Sequence, residues 1–69
     1  MILEGKKYRH FKGGEYKVVA IGKHSETQED LVVYKSIKPP YQVWIRPLTM
    51  FEEEVDRDGY VGPRFVKID

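Results

Sequence analysis

Glu15-Tyr16-Lys17-Val18-Val19-Ala20-Ile21-Gly22-Lys23 is the stretch on which the fold turns. β-branched and aromatic residues dominate it, no helical spacing of apolar positions runs through it, and the polar interval His24 to Asp30 ends it. On an extended chain Tyr16, Val18 and Ala20 share one face, and Val19 and Ile21 the other. Apolar residues on both faces mark a central, bent strand, with Gly22 as the expected bulge or close-approach point. Beyond the polar interval, Leu31-Val32-Val33-Tyr34-Lys35-Ser36-Ile37 repeats the pattern. The two runs are expected to pair as a long antiparallel hairpin.

Working outward, Tyr8 to Phe11 is short and β-rich, and Gly13-Gly14 supplies the positive-φ freedom of a tight reversal into the central strand. On the other side Pro39-Pro40 stops pairing, since neither ring nitrogen has a hydrogen to donate. Tyr41-Gln42-Val43-Trp44-Ile45-Arg46 then alternates with a period of two. Its apolar set, Tyr41, Val43 and Ile45, is expected to face the core, with Gln42, Trp44 and Arg46 opposite. Thr49-x-x-Glu52 has the form of a capping box, which predicts one helical turn over Thr49 to Glu53, with Met50 and Phe51 plugging an open barrel end. Asp58-Gly59 between Val55-Asp56-Arg57 and Tyr60-Val61 suits a type I′ hairpin. Arg64 to Ile68 closes the chain as a last strand, with Pro63 marking an edge or bulge before it. The expected architecture over residues 1–69 is a single all-β domain, a small SH3-like barrel of five or six antiparallel strands with one short helical turn.

With 69 residues and no cysteine, the chain folds by burial alone, without disulfides or a thiolate zinc site. Five Tyr, three Phe and one Trp supply that burial. Twelve Lys and Arg against eleven Asp and Glu give a net charge of +1, far from the excess of a strong duplex-DNA binder. The apolar runs are too short to span a bilayer and the N-terminal residues lack the order of a signal peptide, so a cytoplasmic, membrane-free location is expected.

Two polar clusters stand out at strand ends: Tyr8-Arg9-His10-Phe11-Lys12-Gly13-Gly14 and His24-Ser25-Glu26-Thr27. They hold both histidines of the chain. Neither contains a nucleophile elbow, a phosphate loop or an H-x-H or H-x-x-x-H metal pair. Adjacent residues of an extended segment point to opposite sides, so His24, Ser25 and Glu26 do not orient one another as a triad does. The loop is better read as hydrogen-bonded, with the Ser25 and Thr27 hydroxyls satisfying backbone N–H groups and Glu26 pairing with Arg9 or Lys12. Tyr34 and Trp44 fall in consecutive strands as expected cross-strand neighbours, with Arg46 on the Trp44 face. Aromatic rings beside a guanidinium suit stacking of a base, a peptide or a cation.

The series Tyr8-Arg9-His10-Phe11-Lys12-Gly13, Tyr16-x-Val18, His24-Ser25-Glu26-Thr27, Val32-Val33-Tyr34, Trp44-x-Arg46-Pro47, Met50-Phe51 and Pro63-Arg64-Phe65 resembles a small bacterial domain family of unknown function. The resemblance runs from Lys6 to Ile68. It implies an identity and no activity.

Together these features predict a non-catalytic binding or interaction module. Its expected face contains Tyr8, Arg9, His10, His24, Glu26, Tyr34, Trp44 and Arg46, with no catalytic or metal-ligating residue and no cofactor. The partner classes left open are peptide, nucleotide and single-stranded nucleic acid. The rival expectation is a small hydrolase or metal-dependent enzyme built on His10, His24 and Glu26.

Overall fold

The computed structural model describes residues 2–69, and it is all-β. The strands are β1 (Lys7–His10), β2 (Glu15–Lys23), β3 (Asp30–Ser36), β4 (Val43–Pro47), β5 (Glu54–Arg57), β6 (Tyr60–Pro63) and β7 (Phe65–Lys67), with one helical turn, α1 (Leu48–Phe51), after β4. Five strands form one antiparallel sheet in the order β4-β3-β2-β1-β7, and β5 and β6 form a separate hairpin. Seven strands in two sheets replace the expected five or six, and among the described residues no ladder joins edge strand β4 to edge strand β7. The SH3-like barrel is therefore not closed. Side chains do what backbone pairing does not: Phe51 of α1 stacks on Phe65 of β7 with centroids 3.9 Å apart and planes 2° from parallel. Backbone bonds support that contact, from Arg64 N–H to Glu53 O (2.8 Å) and from Phe11 N–H to Arg64 O (2.9 Å).

The expected β2–β3 hairpin forms, with Val18 opposite Tyr34 and Ile21 opposite Val32. The bulge falls between Val18 and Ala20, not at Gly22. The extra residue, Val19, turns outward and reverses the phase, so Val18 before it and Ile21 after it both pack on the core. This reconciles the apolar residues on both nominal faces of the strand. The core is aromatic: Tyr8, Tyr34, Phe51 and Phe65 with Val18 and Val32. The rings meet mostly edge to face, Tyr8 on Phe51 at 5.6 Å and Tyr34 on Phe65 at 5.6 Å.

Strand β4 faces the other way from its expected orientation. Tyr34 pairs with Trp44 and Val32 with Arg46, and both β3 partners point into the core. Cross-strand partners share a face, so Trp44 and Arg46 lie on the inner side, where Trp44 stays half exposed at the cavity, while Val43 and Ile45 lie on the outer side, Ile45 exposed by 66%. The physical reason lies at the sheet edge, where the inner face meets an open cavity. Trp and Arg suit that boundary, each having an apolar body to lay on the rings and a polar tip to leave wet. The helical turn begins at Leu48, one residue early, with Pro47 at its N-cap position and no side-chain cap from Thr49. Phe51 is fully buried, as a plug requires, and Met50 is exposed. The Asp58-Gly59 turn has positive φ at both residues (54° and 81°), as type I′ demands. Among the described residues no helix is long and apolar enough to cross a membrane.

Candidate functional site

A cavity of about 300 Å³ opens at the end of the sheet where the β1–β2 turn meets β4. His10, Lys12, Gly14, Tyr16, Tyr34, Trp44, Arg46 and Phe65 line it. Register explains the gathering. His10 pairs with Phe65 across β1 and β7, Tyr34 with Trp44 across β3 and β4, and Tyr16 follows the Gly13-Gly14 reversal by two residues. A Cβ at Gly14 would stand 2.8 Å from Tyr16 Oη, so a side chain there would require the Tyr16 ring to shift. Beneath the cavity the rings interlock, with Tyr16 edge-on to Tyr34 (5.3 Å) and to Phe65 (6.0 Å).

The charge of the site is positive. Arg46 places its guanidinium carbon 5.8 Å from the Phe65 centroid, and Lys12 Nζ lies 5.9 Å from that of Phe11. Neither cation has a carboxylate partner among the described residues, whose ion pairs join Arg9 to Glu15, Lys23 to Asp30 and Arg64 to Glu53. His10 packs edge-on to Phe65 at 5.0 Å and tilted on Phe11 at 4.6 Å. Burial, followed by the fields of Arg46, Arg64, Lys12 and Arg57, holds its pKa below 6.5. Both effects favour the neutral ring. Its Nδ1 accepts the Lys12 backbone N–H at 3.1 Å, which leaves the ring proton on Nε2. Burial pushes the Tyr34 hydroxyl above its usual pKa of 10.0 against the opposing pull of Arg46, so this group also keeps its proton.

Of the eight residues expected at the binding face, His10, Tyr34, Trp44 and Arg46 meet at this cavity. The other four do not. Tyr8 is a core residue whose hydroxyl accepts the Leu3 N–H at 3.0 Å. Arg9 points to the outer face and pairs with Glu15, not with Glu26. His24 and Glu26 sit past the far end of the nine-residue β2, in an exposed loop. There His24 Nδ1 accepts the N–H groups of Glu26 (3.1 Å) and Thr27 (3.3 Å), and Thr27 Oγ1 accepts that of Glu29 (3.2 Å). Ser25 donates to the Glu26 carboxylate at 3.2 Å, so the imidazole performs the capping expected of its hydroxyl. Consequently His10, His24 and Glu26 do not assemble. Among the described residues no group of three or more His, Cys, Asp or Glu is placed to hold a metal ion.

Sequence reasoning missed Lys12, Gly14, Tyr16 and Phe65 as cavity residues. Lys12 and Gly14 belong to the first polar cluster, and Tyr16 shares a strand face with Val18, so three of the four carried a signal. Phe65 carried none, because its place depends on which strand β7 joins.

The profile of a family described as "Protein of unknown function (DUF1653)" matches residues 6–67, and the chain belongs to that family. A crystal structure of a DUF1653 protein from Bordetella bronchiseptica is similar at 29% identity with a TM-score of 0.83, over 96% of this chain and 87% of that one. No curated protein matches the chain.

Proposed function

We propose that this DUF1653 domain is a non-catalytic binding module whose site is the cavity between His10 and Trp44, and that its ligand joins a negatively charged group to a planar one. One observation carries the reading: Arg46 and Lys12, both without a carboxylate partner among the described residues, converge with Trp44, Tyr16 and Tyr34 on a single cavity. Cations without counter-charges stabilise an anion, and indole and phenol rings offer faces to a flat group. At about 300 Å³ the cavity is at the small end of ligand pockets, which favours one nucleotide-sized unit over a long peptide. Duplex DNA does not fit the reading, since its affinity rests on many phosphate contacts. The cytoplasmic location expected from the sequence is part of the proposal.

Trp44 is the sole tryptophan and lines the cavity, so its fluorescence reports binding directly. Titration with nucleotides, short single strands, aromatic carboxylates and proline-rich peptides is expected to give a saturable change with the anionic planar members. Arg46→Gln is expected to weaken it. No saturable change with any member would overturn the proposal.

A further inference from the structure

Resting on that reading, we infer that the charged part of the ligand is a phosphate group, held by Arg46, Lys12 and His10 while Trp44 covers the attached base. The argument is an inventory of hydrogen-bonding groups. Arg46 and Lys12 donate and have no lone pair to offer, and the Trp44 indole N–H only donates. His10 has two ring nitrogens, but its Nδ1 is already occupied by the Lys12 backbone N–H at 3.1 Å, so what remains is an Nε2–H donor. Among the lining side chains, the hydroxyls of Tyr16 and Tyr34 alone are able to accept. No Asp, Glu, Asn or Gln lines the cavity.

A wall of donors selects a ligand rich in acceptors. An ammonium, an amide N–H or a sugar hydroxyl turned into this cavity loses its water and finds few acceptors, which is costly. A proline-rich peptide offers neutral carbonyls and leaves two cations uncompensated. A carboxylate neutralises charge but spreads two oxygens in one plane. The donors here come from three places, Arg46 on β4, His10 at the end of β1 and Lys12 in the turn beyond it. A tetrahedral phosphate with its several oxygens reaches donors on separate elements, and the Arg fork binds two of those oxygens side by side. The aromatic remainder of the lining then accounts for the base, since bases stack on aromatic side chains without regard to sequence.

The same phosphate chemistry comes from a free mononucleotide or from a single strand, and the test separates them. Trp44 fluorescence of the full chain is titrated with a nucleoside monophosphate, the matching nucleoside, benzoate, inorganic phosphate, and a short single strand with and without a 5′-phosphate. The monophosphate is expected to bind at least about tenfold more tightly than the nucleoside or benzoate, with inorganic phosphate competing. Arg46→Gln is expected to remove that advantage while leaving the nucleoside affinity within about threefold, and Arg46→Lys, which keeps the charge and loses the fork, to fall between. Circular dichroism and thermal melting establish that both variants are folded. A 5′-phosphorylated strand that outbinds its unphosphorylated form points to a terminal phosphate, and equal binding of the two points to the backbone diester. Benzoate binding as tightly as the monophosphate, or a phosphate advantage that survives Arg46→Gln in folded protein, would overturn the phosphate assignment and leave the binding module standing. Silence from every ligand would overturn both.

Discussion

At the two ends of β2 a histidine Nδ1 accepts the backbone N–H two residues further on, His10 from Lys12 and His24 from Glu26, each at 3.1 Å. Beyond that bond the two turns share little. His10 lies between the rings of Phe11 and Phe65, faces Arg46, Arg64, Lys12 and Arg57, and lines the cavity. His24 is exposed, and its hydrogen bonds stay within the loop. The local bond depends on near neighbours in the chain, so similar polar clusters produce similar turns. The environment depends on which strand arrives alongside, and the pairing of β1 with β7 brings Phe65 under His10. Among the described residues His24 makes no ring contact and no ion pair.

Removing the ring beneath His10 is the severest way to break the contrast. Phe65 stacks on Phe51 and touches Tyr16, Tyr34 and His10, so Phe65→Ala opens a cavity in a core of few residues. We expect a loss of about 3–5 kcal/mol in urea denaturation, against a change within about 0.5 kcal/mol for Ser25→Ala in the other turn. Comparable losses for the two would mean that the His10 end is no more integral to the fold than the His24 loop.

That asymmetry also explains what was legible in the sequence. Strands, hairpin turns and the resemblance to a family are local or cumulative signals, and they read correctly in Glu15–Lys23, in Asp58-Gly59 and in the Tyr34 to Trp44 pairing. The face of β4 misled because Val43 and Ile45 look like core, whereas an edge strand whose inner side meets a cavity places its amphipathic residues inward and leaves the β-branched ones outside. His10 and His24 looked equivalent because their clusters have the same composition. What separates them is the contact between β1 and a strand 55 residues further along, His10 to Phe65, and no periodicity encodes that partner.

Smaller perturbations sharpen the comparison at the cavity itself. Gly14→Ala places a methyl 2.8 Å from Tyr16 Oη, at the end of a rigid ring that also abuts Tyr34 and Phe65. We expect a loss of about 1–3 kcal/mol and weaker ligand binding, read by denaturation and by Trp44 fluorescence. Stability unchanged would show that Tyr16 swings freely away.

The two histidines are also expected to separate in pH dependence. His10 has a folded pKa below its unfolded 6.5, so the folded state binds fewer protons in between. Its contribution is full above 6.5 and is lost as the pH falls through the lowered folded value. Asp69, held down first by the Lys7 N–H, adds its own loss only below 3.8. Between pH 6.5 and 4.5 the melting temperature of the parent protein is expected to fall, and His10→Gln to flatten that fall. A slope that survives His10→Gln would assign the titration elsewhere.

The face of β4 gives a further, milder test. Val43→Asp puts a charge on the solvent side of an edge strand and is expected to cost no more than about 1 kcal/mol, mostly through β propensity. The same change at fully buried Val32, one strand inward, leaves a charge without a partner and is expected to unfold the domain. Unfolding by Val43→Asp would restore the orientation read from its sequence pattern.

The least effect is expected from His24→Ala, and it bears on the comparison most directly. The substitution removes the acceptor for two N–H groups, those of Glu26 and Thr27 at 3.1 and 3.3 Å. In a buried turn, orphaned donors cost about 1–3 kcal/mol. Here every residue from Gly22 to Asp30 is exposed, so water replaces the imidazole and the loss is expected to stay within about 0.5 kcal/mol. The loop also retains the backbone bonds from Gln28 N–H to His24 O and from His24 N–H to Glu29 O, both 2.8 Å and both independent of the side chain. Ligand binding reported by Trp44 is expected to be unchanged, because His24 lies at the opposite end of β2 from the cavity. A His24→Ala variant that melted normally yet lost the fluorescence response would show that the two turns communicate, and the binding module would then have to include both ends of the strand.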